Sequence, residues 1–324
     1  MKRRIYKIHP GTAPVLGMLG DANTAMSRAK SLGKARYEMC DPAMHNTATG
    51  RLRLENDLRR ATERVEFCLH YQPIVSLADS RIVGFEALVR WQRPEFGLVM
   101  PAGFIPVAED TGLTLWIGNW VLMEACRQLR AWNRRFSKVP AFTVAVNISA
   151  KQFAQPGLVS QVDQILRVSG LAPQSLKLEL TESITMGDEK RTTRILSELK
   201  ALGVRLCIDD FGPGYSSLSY LRRFALDILK IDRSFVSEML NNSESREIVK
   251  TILSLGSNLR LEVVAEGVET EEQMNLLQSL GCEYAQGYFF FRALDVTGIT
   301  NTLLTARANE YSLTKESPKD LVAL

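Results

Sequence analysis

From about residue 66 onward the chain repeats one order of residues: a short apolar run, a polar junction, then a longer stretch with apolar positions three or four apart. The short runs occupy residues 142–148, 176–180, 204–208, 226–231 and 261–265, with a further one at Tyr284. Between them, residues 120–136, 159–168, 191–202, 245–255 and 271–280 carry the helical spacing. Strands alternating with helices of this length predict parallel β-α units. At least six units in about 240 residues fit a closed (β/α)8 barrel better than a doubly wound sheet. The first two runs, 67–77 and 82–91, are separated only by residues 78–81, too few for a helical crossover. They predict an antiparallel hairpin, so the barrel starts irregularly. No G-x-G-x-x-G follows a strand and no G-x-x-x-x-G-K-[ST] occurs, so dinucleotide and P-loop folds lack their phosphate cradles.

Ahead of the barrel, residues 21–32 read as a helix stopped by Gly33, and residues 51–67 as a second, with Leu54, Leu58, Ala61 and Val65 on one face. Asp41-Pro42 and residues 46–50 read as turn and linker. A segment of about 60 such residues makes a poor core by itself, so the expected division is a lead-in at 1–63, a barrel at 64–305 and a polar tail at 306–324. Residues 1–64 carry a net +7 and the remainder −3. Their positive charges are interleaved with acids and alanines, which favours a solvated helical face over a DNA-binding or membrane patch.

Composition narrows the chemistry further. The 324 residues are 45% hydrophobic and 23% charged, values of an ordinary globular chain. No run approaches the ~18 apolar residues of a membrane span, and the basic N-terminus lacks the apolar core of a secretory signal. Five scattered cysteines without a C-x-x-C suit buried thiols in a reduced cytoplasm. Three histidines, two of them in the lead-in, supply zinc or triad chemistry poorly. Carboxylates are the better stocked resource.

Those carboxylates recur where apolar runs finish: Glu86, Glu179 with Glu182, Asp209-Asp210, Asp232 and Glu266, joined by Asn147 and Lys230. Each acid alone has an ordinary explanation, as a helix N-cap or a surface ion pair. Together, at the ends of successive strands, they would converge on the mouth where barrel enzymes act. Buried carboxylates stay ionised only when paired or bound to a cation, and one lysine cannot balance six or seven. Oxygen ligands of this kind suit Mg²⁺ or Mn²⁺ over zinc. Adjacent acids such as Asp209-Asp210 can serve two ions, as in two-metal phosphoester hydrolysis. The residues alone leave a metal-assisted barrel hydrolase, lyase or isomerase.

The ordered motifs go further. Tyr71-Gln72-Pro73-Ile74-Val75, Glu86-Ala87-Leu88-Val89-Arg90-Trp91, Phe104-Ile105-Pro106, Asn147-Ile148-Ser149 and Glu179-Leu180-Thr181-Glu182-Ser183 resemble the EAL family of bacterial cyclic-di-GMP phosphodiesterases. So do Asp209-Asp210-Phe211-Gly212, Tyr215-Ser216-Ser217-Leu218, Leu229-Lys230-Ile231-Asp232, Ala265-Glu266-Gly267-Val268-Glu269 and Gln286-Gly287-Tyr288, the whole covering about residues 64–300. The resemblance implies a TIM-type barrel with an antiparallel first strand, cleavage of one phosphodiester of cyclic-di-GMP to linear pGpG, and a homodimer formed through the barrel. It implies two Mg²⁺ or Mn²⁺ ions, the first held by Glu86, Asn147, Glu179 and Asp209, the second by Asp209, Asp210 and Glu266, with Asp232 near both. Lys230 would hold the nucleophilic water, with Glu266 or Asp232 as proton acceptor. Gln72, Leu88, Arg90 and Gln286 would face the substrate, and Glu182 and Glu269 would anchor the mobile loop after Asp210.

Two departures bear on rate. Pro213 stands where the family has a small or hydroxyl residue, and Phe291-Arg292-Ala293 where it commonly has Ser-Lys-Pro. A non-catalytic cyclic-di-GMP receptor is therefore the alternative reading, although no expected metal ligand is missing. Residues 21–37 resemble the last helix and strand of a GGDEF diguanylate cyclase domain. With no Gly-Gly pair in the chain, cyclase activity is not expected.

Overall fold

A computed structural model describes residues 42–137, 141–181, 184, 188–212 and 223–308. The predicted helix at 21–32, the cyclase-like stretch and Pro213 lie outside them. Strands β1 (Phe67–Ser76) and β2 (Ile82–Arg93) form the predicted antiparallel hairpin, with Tyr71 opposite Ala87. Parallel strands β4 (Thr143–Ile148), β5 (Leu176–Thr181), β6 (Arg205–Phe211), β7 (Ile228–Ile231) and β8 (Glu262–Ala265) follow β2 in order. β9 (Tyr284–Ala285) pairs parallel with β8 and antiparallel with β1, which closes an eight-stranded barrel. The three-residue β3 (Gly97–Val99) hangs on β2 outside the closure.

Helices α1 (Pro42–Arg64), α2 (Ile105–Thr111), α3 (Thr114–Phe136), α4 (Ala150–Phe153), α5 (Leu158–Ser169), α6 (Glu189–Ala201), α7 (Arg233–Glu238), α8 (Ser243–Leu259), α9 (Glu271–Ser279) and α10 (Val296–Ala308), with short 3-10 turns at Pro101–Gly103 and Pro173–Ser175, complete the described elements. Among the described residues none is long and apolar enough to cross a membrane. Capping fixes several starts: Ser149 and Thr270 form capping boxes with Gln152 and Gln273. One large apolar cluster fills the space between the strands' outer faces and the helices.

Inside the barrel, period-two alternation sorts each strand into levels. Ile74, Cys207, Ile228 and Val264 form a separate apolar plug, with Val83 and Tyr284 against it. Above it, two residues further along their strands, stand Asp209, Lys230 and Glu266; below it stand Arg205 and Glu262.

The lead-in differs from expectation at both ends. α1 already runs through residues 46–50, read from their polarity as linker, and stops at Arg64 rather than 67. The helix packs on the barrel wall, burying Leu58 and Ala61 completely. Arg93 of β2 grips Asp57 with Nε and Nη2 at 3.2 and 2.7 Å, and Trp91 Nε1 donates to Glu66 at 3.0 Å. Burial of this face in the main apolar cluster, with α2 against it, and not helix propensity, holds it in place. Leu58→Ala should accordingly cost about 2–5 kcal/mol in denaturant unfolding, whereas Leu52→Ala, at a position 62% exposed, should leave the midpoint unchanged.

Candidate active site

Lys230 occupies the centre of the barrel mouth, 1% exposed at the end of β7. Its ammonium lies 2.8 Å from Glu179, 3.0 Å from Asp209, 2.5 Å from Glu266 and 3.4 Å from Glu86. Four carboxylates, three from strands β2, β5 and β6 and one just after β8, thus face one cation. Burial opposes the charge on Lys230, yet the surrounding carboxylates hold its pKa well above the usual lysine value.

The acids divide by their partners. Burial works against ionisation of Glu86, but Lys230 outweighs it, helped by Gln286 Nε2 donating at 2.7 Å and Asn147 Nδ2 at 2.9 Å; its pKa is lowered. Glu179, equally buried and without such amides, is driven well above the carboxylate range by burial and by the like charges around it. Glu266 is pushed up to about 8, chiefly by burial. Asp210 is pushed up to about 6 by burial, by Asp209 and by its hydrogen bond with Asp232. Asp232 goes down: burial is outweighed by Ser234, whose amide donates at 2.8 Å as Asp232 caps α7.

Local backbone explains how neighbours in sequence reach one site. Adjacent strand residues normally point to opposite faces. Between Ile208 and Phe211 the β6–β7 register shifts, and Asp210 adopts a left-handed φ of 51°. The break turns Asp210 back towards Asp209, so that oxygens of Asp209, Asp210 and Glu266 all lie within 4.8 Å of one another. Gly287 is needed for close approach: a Cβ there would sit 2.0 Å from the Val268 carbonyl oxygen.

Around this centre, Gln72 Oε1 accepts from Gln286 at 3.0 Å, while Gln72 Nε2 donates to the Phe291 carbonyl at 3.1 Å. Arg90 is buried, donates to the Val89 carbonyl at 2.9 Å and forms no ion pair among the described residues. Leu88 follows Glu86 by two along β2, on the same face as Arg90. Glu269 is exposed ahead of α9, where its amide donates to Gln273 Oε1 at 2.7 Å, and Glu182 lies outside the described residues. Sequence reasoning missed the interlock of Gln72, Gln286 and the Phe291 backbone; no spacing signals it, because its members come from opposite ends of the barrel.

A divalent cation fits this donor set. Glu179 Oε2 is buried without a hydrogen-bond donor, and Asp209 Oδ1, though near Lys230, accepts no well-directed hydrogen bond. Hard carboxylate oxygens in excess of ammonium charge are the ligands such an ion takes.

A model of the EAL domain matches residues 55–293. The bifunctional diguanylate cyclase/cyclic di-GMP phosphodiesterase MucR of Pseudomonas aeruginosa is 46% identical over 274 residues, 85% of this chain and 40% of that protein. The cyclic di-GMP phosphodiesterase NbdA of the same organism is 40% identical over 290 residues, 90% of this chain and 37% of that protein. This chain therefore spans about two fifths of the length of these relatives. The solved structure of the PaMucR phosphodiesterase in complex with c-di-GMP superposes with a TM-score of 0.73 at 46% identity, covering 76% of this chain and 99% of that one.

The raised carboxyls give metal-free protein a pH signature. The folded-state value of Glu266, about 8, stands above its ordinary 4.5. The stability it contributes is therefore complete below 4.5 and falls as pH rises through about 8. With chelator present, the unfolding midpoint should drop between about pH 5 and about pH 9, and added Mn²⁺ should shrink the drop. A flat profile would contradict this electrostatic picture.

Proposed function

Because the chain belongs to the EAL domain family, we propose that it hydrolyses one phosphodiester bond of cyclic-di-GMP, giving linear pGpG and depending on two Mg²⁺ or Mn²⁺ ions. The observation that carries this reading is the set of four carboxylates converging on Lys230 with unsatisfied oxygens among them. The activities named for MucR and NbdA, and the dinucleotide in the PaMucR complex, supply the substrate class.

Glu86, Asn147, Glu179 and Asp209 would hold one ion; Asp209, Asp210 and Glu266 the other, with Asp232 beside Asp210. Bound there, the ions would supply Lewis-acid polarisation of the phosphate and ease deprotonation of water. The chain's own groups do the remaining work. Gln286 and Asn147 orient Glu86. The Lys230 ammonium steadies the attacking oxygen and the charge developing on the phosphate. Arg90, which forms no ion pair among the described residues, offers a guanidinium suited to a phosphate's paired oxygens. Glu266, which contacts the Lys230 ammonium, would take the water proton, with Asp232 the other acceptor in reach of Asp210. As the water oxygen bonds to phosphorus, the bond to the ribose oxygen breaks, and that oxygen leaves as a hydroxyl after protonation from solvent. Gln72 and Leu88 line the approach. Homodimerisation and anchoring of the loop by Glu182 and Glu269 belong to the same proposal and rest on family membership.

Purified protein given cyclic-di-GMP and Mn²⁺ should yield pGpG by chromatography, and Glu86→Ala should abolish it. Binding without turnover in calorimetry would overturn the hydrolytic reading in favour of a receptor. Lys230→Met should lower kcat by about 10²–10³ with little change in KM. Arg90→Ala should instead act mainly on KM.

A further inference from the structure

Gln72 and Glu86 stand directly opposite each other across the β1–β2 hairpin. The side-chain amide of Gln286, the residue after β9, joins them: its Nε2 donates to Glu86 Oε2 at 2.7 Å and to Gln72 Oε1 at 3.0 Å. Gln72 Nε2 donates in turn to the Phe291 carbonyl at 3.1 Å. A single file of hydrogen bonds thus runs from the Phe291 backbone to a carboxylate beside Lys230.

The direction of this file is set from its charged end. A glutamine amide has one donor end and one acceptor end, whereas an ionised carboxylate only accepts. Gln286 must therefore turn its nitrogen to Glu86. Gln72 must then offer Gln286 its oxygen, which leaves the Gln72 nitrogen for a carbonyl, and Phe291 provides one. Reversing Gln286 would set its oxygen against the carboxylate. The orientation is held at a cost, because Gln286 Oε1 ends up buried with no hydrogen-bond donor.

Gln72 also fastens a turn. The amides of Phe290 and Phe291 both donate to the Gly287 carbonyl, at 3.1 and 3.0 Å, so the chain folds back between Gln286 and Phe291. The Gln72 amide binds the first and last residues of that turn at once. Beside it, Tyr71 and Leu294 exchange backbone hydrogen bonds of 2.7 and 3.0 Å, so β1 grips the segment on both sides of Arg292. Both ends of the Gln72 amide are thus engaged by protein groups. Groups that orient a metal ligand contribute to metal affinity without touching the ion.

We propose, on the metal-dependent reading above, that Gln72 is a positioning residue for the metal site: through Gln286 it holds the Glu86 carboxylate in place and ties it to the turn at 286–291. Its effect falls on the affinity for the divalent ion before any substrate is present, where a residue that only faced substrate would have none.

The test is calorimetric titration of Mn²⁺ into the full chain stripped of metal, with no dinucleotide added. Gln72→Leu, which keeps the bulk of the side chain and removes both polar ends, should weaken Mn²⁺ binding by about tenfold, the lower end of what groups orienting a ligand contribute. Gln286→Leu should weaken it at least as much. The double variant should bind no more weakly than Gln286→Leu alone, because the two residues act in series. Mn²⁺ bound by Gln72→Leu as tightly as by wild type overturns the proposal, and so do two losses that multiply in the double variant. Wild type that binds no Mn²⁺ is a different failure, which removes the metal-dependent reading and this role with it. The unfolding midpoint of each chelated variant checks that the fold is kept, and should Gln72→Leu not fold, Gln72→Met makes the same comparison.

Discussion

The barrel mouth gathers more buried carboxyl groups than its single ammonium can balance, and much of the local structure follows from that. Like charges brought this close repel and would move apart if carried on pliable loops. Here Glu86, Glu179 and Asp209 stand on hydrogen-bonded strands whose outer faces are locked into one continuous apolar shell. The rigidity of the wall, supplied by burial of Leu178, Leu206 and Leu229 among others, opposes the repulsion inside. Lys230 attracts all four acids, but they respond differently, because only Glu86 has two amide donors to complete its shell. Glu179 Oε2 and Asp209 Oδ1 are left without a hydrogen-bond donor because one ammonium serves four acids.

Much of the architecture was readable in the chain because strand and helix periods are unmistakable when the strands are buried. Runs such as 204–208 and 261–265 reappear as β6 and β8 within a few residues. The hairpin was readable from loop length alone, since four residues cannot carry a parallel crossover. Elements lacking an apolar stripe were not legible. The start of α1 is polar and reads as linker, yet tertiary contact further along carries the helix through it. α10, rich in threonine, has a weak apolar stripe and is not among the stretches with helical spacing, although Ile299 and Leu303 anchor it.

The site itself was legible as a list of residues and much less so as an arrangement. That Asp209 and Asp210 could serve one centre was inferred from their adjacency, which on a regular strand would place them on opposite faces. The register shift and the left-handed Asp210 that resolve this have no signature in residue type, aspartate being tolerated there without demanding it. The ordinary explanation for an acid after a strand also proved true in part: Asp232 caps α7 and Asp188 caps α6. Asp232 does so while still touching Asp210, so capping and site-building are not exclusive roles. Lys177 escaped notice for the opposite reason. A lysine in a strand reads as a solvated edge position, and only the closed barrel shows that the residue is almost wholly buried.

The lead-in helix bears on the site through a strand rather than through space. β2 carries Glu86 and Arg90, and three further residues of the same strand, Trp91 to Arg93, meet α1 or the chain just after it: Trp91 and Gln92 bind Glu66, and Arg93 binds Asp57. Arg93 also lies over the Phe96 ring at 3.9 Å, pinning the β2–β3 turn against the helix. Because strands are stiff along their length, a helix fastened at one end of β2 shares its frame with the carboxylate a few residues away. A boundary drawn from charge composition passes through this packed interface, whereas burial places the second half of α1 with the barrel. Charge records where a chain meets water; the limits of a folding unit are set by what its apolar face touches.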